Sequence, residues 1–175
     1  MLDKLKAKKA EIARLREERG ATDPILIIAG IAITLILLVG GSFAISGFIA
    51  NANNLNAKGD LDRVATAQAA FLAERDSYSN NVATLGSSSI GFTPTAGNSL
   101  TILTTPTASG GWVAVTESAS GTRYARTSSG TAIIEVGSQG NNIAALPGTL
   151  VLPNAGNAAA NTTFATAVLT AINAL

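Results

Sequence analysis

Residues 25–50 run for 26 positions without an Asp, Glu, Lys or Arg, and no other feature constrains the fold of this chain as strongly. As an α-helix rising ~1.5 Å per residue, the stretch reaches about 39 Å, which exceeds the ~30 Å hydrocarbon core of a bilayer and allows a crossing with some tilt. A water-soluble globular protein is thereby excluded as the default expectation. Charge is segregated around this span. Residues 1–20 hold seven basic groups (Lys4, Lys6, Lys8, Lys9, Arg14, Arg16, Arg19) against Asp3, Glu11, Glu17 and Glu18. Residues 51–175 hold five basic and six acidic groups, so the formal net charge of +1 conceals a basic leader. A short basic flank stays in the cytoplasm, which predicts a single-pass cell-membrane protein with its amino terminus inside and its carboxy-terminal part outside.

The chemistry open to the chain is narrow. It has no cysteine and no histidine, which removes disulfides, thiol chemistry, the usual zinc and iron ligand sets and every triad built on an imidazole base. No catalytic residue, metal site or cofactor is expected. Asp60 and Asp62 fall on different helix faces, and Lys58 stands i, i+4 from Asp62, so these groups read as a solvated charge cluster and not as paired acids. Residues 137–142 are rich in Gly and Asn but lack the lysine and following helix of a phosphate-binding loop, and read as a turn. No basic run follows the apolar span, so there is no strong electrostatic footprint for nucleic acid. Asn161-Thr162-Thr163 fits a glycosylation sequon, a short pattern that chance produces often.

Four regions follow from composition, and together they give an α+β fold class. Residues 1–20 form a polar leader rich in helix formers. Residues 21–50 open with Asp23 as an N-cap candidate and Pro24 at the first helical turn, then continue as the transmembrane helix. Within it, Gly40 with Ala44 and Ser42 with Ser46 set small residues at four-residue spacing, which allows close helix approach in lipid. Residues 51–76 continue the helix outside the membrane. Leu61, Val64, Ala65, Gln68, Phe71 and Leu72 share one face, while Asp60, Arg63, Ala67, Glu74 and Arg75 lie mainly elsewhere. A helix over residues 23–76 would be roughly 80 Å long, more than a small domain needs for its own core.

Residues 77–175 change character, becoming rich in Ser, Thr, Gly and Asn with short apolar runs between turn signals. Strands are expected over residues 100–104, 112–117, 123–127, 132–136 and 149–152, the middle three as an antiparallel meander. Phe164, Val168, Ile172 and Leu175 form a helical stripe after Asn161-Thr162-Thr163, which predicts a short amphipathic helix capped at that point. A head of about 100 residues buries only a modest core, so packing against the long helix would support it.

A basic leader ending in Gly20, an apolar helix directly after it, an amphipathic continuation and a small β head together resemble a type IV prepilin. An ordinary secretory signal places its apolar stretch before the cleavage site, whereas the candidate bond here, Gly20-Ala21, precedes it. Residues 62–70, Asp-Arg-Val-Ala-Thr-Ala-Gln-Ala-Ala, look like the exposed half of a pilin helix, and Tyr78 like the tyrosine that often follows it. Residues 111–115, 121–124 and 129–130 are similar to the head hairpin of cysteine-free Gram-positive pilins. The resemblance covers the chain to about residue 136, and residues 137–175 match no pattern of the family.

The resemblance implies a long helix packed on a small antiparallel sheet, cleavage after Gly20 by a prepilin peptidase, and a new, often methylated, amino terminus at Ala21. It also implies other copies of the chain and the pilus assembly machinery as partners, with membrane lipid as the reservoir before assembly. One departure stands out. Many type IV pilins carry Glu at the fifth residue after the cut, where this chain has Ile25, and Asp23 is the nearest acid. Asp23 is either a substitute that meets a neighbour's amino terminus or an N-cap beside Pro24, and an acid at a helix start suits both. Two functions are therefore expected: a filament subunit assembled through its helix, or an unprocessed membrane anchor whose β head binds a ligand or cell-wall component.

Overall fold

Pro24 lacks the N–H that a first helical residue leaves unpaired anyway, and the Asp23 carboxylate accepts the Ile25 N–H at 3.0 Å, so a helix starts here for local reasons. In the computed structural model, which describes residues 2–20, 23–87, 89–106 and 110–175, that helix is α2 (Pro24–Arg75), preceded by α1 (Leu2–Gly20). It ends at Asp76, whose φ of 52° is left-handed and whose N–H donates to the Leu72 carbonyl at 2.9 Å. The place is one that usually falls to glycine or asparagine.

The chain divides into two compact units, Met1–Gly47 and Phe48–Leu175. In the first, residues 23–47 of the described chain are all exposed, and α2 is long and apolar enough there to cross a membrane. The second unit holds α3 (Val82–Ser87), a sheet of β1 (Ser99–Thr104), β2 (Trp112–Glu117), β3 (Thr122–Thr127) and β4 (Ile134–Ser138), and α4 (Ala158–Ala174). The sheet is an antiparallel meander in the order β1-β2-β3-β4. Gly121 takes φ +85° in the tight β2–β3 turn, where its N–H donates to the Ser118 carbonyl at 2.8 Å. Gly111 precedes β2 where a Cβ would collide with Ser128 and Pro153.

Strand alternation sends successive β2 side chains to opposite faces. Trp112 and Ala114, with Tyr124 and Ile102, join Ala57, Leu61, Val64, Ala67 and Phe71 of α2 in one core. Val113 and Val115, with Ala125 and Val136, join Phe164, Val168 and Ile172 of α4 in a second core. The second unit is thus three layers, helix on sheet on helix, and β2 is buried along its whole length. Long α-helix and small antiparallel sheet make the α+β layout expected from sequence.

Several local expectations are corrected. Residues 149–152 form no strand: a turn closes with the Leu150 N–H on the Pro147 carbonyl at 2.9 Å, and Leu150 drops into the second core. Their apolar pattern serves a segment lying over the sheet, and the Val151 carbonyl takes the Thr127 hydroxyl at 2.7 Å. β4 begins two residues later than residue 132, with a register shift at Arg123 and Tyr124, which pair with Gly137 and Glu135. The α4 cap is Asn157, which accepts the Ala160 N–H at 2.9 Å, and not the Asn161-Thr162-Thr163 run. Asn161 instead sits inside the helix and accepts the Ala155 N–H at 2.6 Å, tying down the preceding loop. On α2, Asp60 and Ala67 belong to the buried face, because residues 57, 60, 61, 64, 67, 68 and 71 make a stripe wide enough to cover the sheet.

Candidate functional site

The first candidate surface is the apolar part of α2, and its residues behave differently from those of the head. Asp23 and Pro24 form the helix start described above. Gly20 is the last residue of α1, while Ala21 and Thr22 lie outside the described residues, and with them the expected Gly20-Ala21 processing bond. Gly40, Ser42, Ala44 and Ser46 are all exposed on α2, and a Cβ built on Gly40 meets nothing within 4 Å. Gly40 and Ala44 stack one turn apart, as do Ser42 and Ser46, so each pair marks a low point where a second helix can approach closely.

The polar groups of this stretch are satisfied within the helix. Ser42 donates to the Leu38 carbonyl at 2.8 Å and Ser46 to the Phe43 carbonyl at 2.8 Å. Thr34, which sequence reading did not single out, donates to the Gly30 carbonyl at 2.8 Å. Their hydroxyl protons are therefore spent inside the helix, as a hydrocarbon environment requires. Around them stand large side chains with no cover in the monomer: Phe43 is 75% exposed, Leu37 68% and Ile25 73%. A continuous apolar surface of this size demands lipid or protein against it.

In the head, the network that fixes α2 to the loops was not legible in the sequence. Asp60 is fully buried, which corrects its expected place in a solvated cluster. Its carboxylate accepts the Thr95 N–H at 3.1 Å, the Thr95 hydroxyl at 2.8 Å and the Asn98 amide at 2.7 Å, and it pairs with Arg63. Burial by itself raises the pKa of this carboxyl, but the hydrogen bonds from Asn98, Thr95 and Arg63 outweigh it and hold the group below the usual carboxylate range. Gln68, also buried, donates to the Ser79 carbonyl at 2.5 Å and accepts the Ser79 N–H at 2.9 Å. Only Gln68 carried a sequence signal, as the one polar residue in the apolar stripe.

Charges on the sheet are placed with equal specificity. Asp62 pairs with Arg126 of β3, and the Lys58 ammonium lies 4.8 Å from the centre of the Tyr124 ring. Burial, and then the negative charge of Glu135, raise the Tyr124 phenol above its ordinary pKa. On the opposite face, directly across β2 and β3, Arg123 and Glu117 form a nearly buried pair at 2.7 Å. Between α2 and the segment after β3 lies a groove of about 360 Å³ lined by Ala65, Ala69, Tyr78, Trp112, Arg126 and residues 127–131. Among the described residues, no three His, Cys, Asp or Glu side chains come together to hold a metal ion. No protein-family model and no curated protein matches this chain.

The chemistry of these arrangements is one of surfaces and cores. The early turns of α2 expose an apolar surface whose hydroxyls are bonded within the helix, and its later turns form one wall of a layered domain.

Proposed function

We propose that this protein is a structural subunit of a type IV pilus-like surface filament, stored in the cell membrane as a single-pass prepilin and assembled through α2. The observation that carries the reading is the division of labour along one helix: residues 24–47 expose apolar side chains throughout, while residues 57–71 supply one wall of the head's core. In the membrane the exposed surface is met by lipid. In a filament the same surface is met by other copies of α2, so the transfer between the two is nearly balanced and an assembly machinery can drive it. The small-residue pairs Gly40/Ala44 and Ser42/Ser46 are the places for close helix contact. An unprocessed anchor requires an apolar span but gives no reason for the same helix to continue as the structural wall of the head.

On this reading the basic leader, residues 1–20, is removed by a prepilin peptidase at Gly20-Ala21, and the filament core comprises residues 21–76. The Asp23 carboxylate is exposed, follows the new amino terminus by two residues in sequence, and on this reading meets a neighbouring subunit's ammonium group. The test is amino-terminal sequencing of the protein from membranes and from sheared surface fibres, with electron microscopy of the fibres. Subunits starting at Ala21 are expected in the fibre, and Gly20→Trp is expected to accumulate the full-length precursor without fibres. Fibres built from chains that retain residues 1–20, or a protein that never polymerises and keeps its leader, would refute the proposal.

A further inference from the structure

The basic side chains of the two units differ in what they touch. All five in the head meet a protein group: Arg63, Arg123 and Arg126 pair with Asp60, Glu117 and Asp62, while Lys58 and Arg75 lie against the Tyr124 and Phe71 rings. In α1, Lys4, Lys6, Lys8, Lys9 and Arg14 are all exposed, and among the described residues none of them joins a salt bridge or a ring contact.

Leu5, Lys8, Lys9 and Ile12 stand three or four positions apart and so share one face of α1. Leu5 is 67% and Ile12 57% exposed, with the two lysines between them. Glu11 lies roughly 100° round the helix from the middle of this face. A protein surface laid over the two apolar side chains would have to bury both ammonium groups, and their desolvation opposes it. A lipid surface avoids that cost: aliphatic side chains enter the acyl boundary, and lysine stems lie along it while their heads reach the phosphates. The fold supplies such a surface nearby. Residues 21–23 alone join α1 to Pro24, where the apolar run of α2 begins, and a link of that length reaches at most about 10 Å.

We infer that α1 lies along the anionic phospholipid headgroups of the leaflet at which α2 begins, with Leu5 and Ile12 in the acyl boundary and Lys8 and Lys9 on lipid phosphates. This rests on the reading of α2 as a membrane span and on neither processing nor polymerisation.

The chain has no cysteine, so an introduced thiol carries a polarity-sensitive fluorophore at a single site. Full-length Ile12→Cys, Ala10→Cys and Leu37→Cys proteins are labelled and placed in nanodiscs of phosphatidylcholine alone, or with one phosphatidylglycerol in about three lipids. Leu37 reports the span, Ile12 the docking face and Ala10 the other side of α1. The Leu37 label should be in an apolar environment in both lipids. The Ile12 label should be apolar only beside phosphatidylglycerol, and should return to water at about 1 M salt, where the Debye length is about 3 Å. The Ala10 label should stay in water throughout. Lys8→Gln with Lys9→Gln should lower the docked-to-undocked ratio at Ile12 about fivefold per charge removed. An Ile12 label that stays in water beside phosphatidylglycerol, docks equally on phosphatidylcholine or ignores the lysine changes would overturn the inference while leaving the span intact. A Leu37 label in water would overturn the span itself, and the inference with it.

Discussion

The two ends of α2 are one helix with two different surfaces. Over residues 24–47 the helix is apolar on every side, and the only polar side chains within it, such as Thr34, Ser42 and Ser46, turn their protons back onto its own carbonyls. Over residues 57–71 it has two distinct sides, and its buried side contains Asp60 and Gln68, each bonded to groups far along the chain. The first half needs no particular partner and accepts any apolar surround. The second half accepts one partner only, because misplacing Asp60 by a turn would leave a carboxylate buried and unpaired. Generic apolarity leaves the choice of partner open, and specific polar contacts fix the helix to one packing.

The sharpest test of this difference is a pair of identical truncations. Leu61 is 0% exposed in the first core, and Leu61→Ala should destabilise the head by about 2–5 kcal/mol through lost burial and the cavity left behind. Leu37→Ala, at a site with nothing packed on it in the monomer, should leave the denaturant midpoint of the head where it was. Equal losses from both would erase the distinction. A charge reverses the sensitivity: Leu37→Arg should disfavour membrane insertion by about 2.5–3.5 kcal/mol on a translocon scale, read from the inserted fraction in a glycosylation-mapping assay, with head stability unchanged.

Next in size is the Asp60 anchor. Asp60→Asn keeps the shape but turns a donor toward the Thr95 and Asn98 donors, and a loss of about 1–3 kcal/mol in head stability is expected. The native protein should show the matching pH dependence. Because the folded carboxyl sits below its unfolded value of 3.8, its contribution is fully present above that value and is lost as pH falls through the lower folded value. Urea midpoints of native protein and Asp60→Asn should therefore converge in strong acid, and parallel curves down to the lowest pH would remove Asp60 from this role.

The smallest effect on stability is expected at Asp23. Asn caps a helix about as well as Asp, so Asp23→Asn should shift helix stability and membrane insertion by no more than a few tenths of a kcal/mol. Fibre yield per membrane-bound subunit is the informative readout. If the charge meets a neighbour's amino terminus, the yield falls in Asp23→Asn and partly recovers when Ile25→Glu is added. An unchanged yield would confine Asp23 to the Ile25 N–H cap that the structure contains.

What could be known from the sequence was whatever depends on local pattern. The uncharged run, the Asp23-Pro24 start, the stripe through Leu61, Val64, Gln68 and Phe71, and the meander of β2 and β3 all follow from spacing and propensity within a few residues. Such signals survive because helix and strand periodicity are properties of neighbouring positions. Tertiary structure alone decided the rest. Asp60 is internal because Thr95 and Asn98, 35 and 38 residues away, supply the donors that offset its desolvation. Residues 149–152 have the composition of a strand but meet the face of a sheet and not its edge, so they pack Leu150 without joining the ladder. The groove beside Trp112 exists only where two small α2 side chains face a β hairpin, an encounter between distant segments that no window of sequence contains.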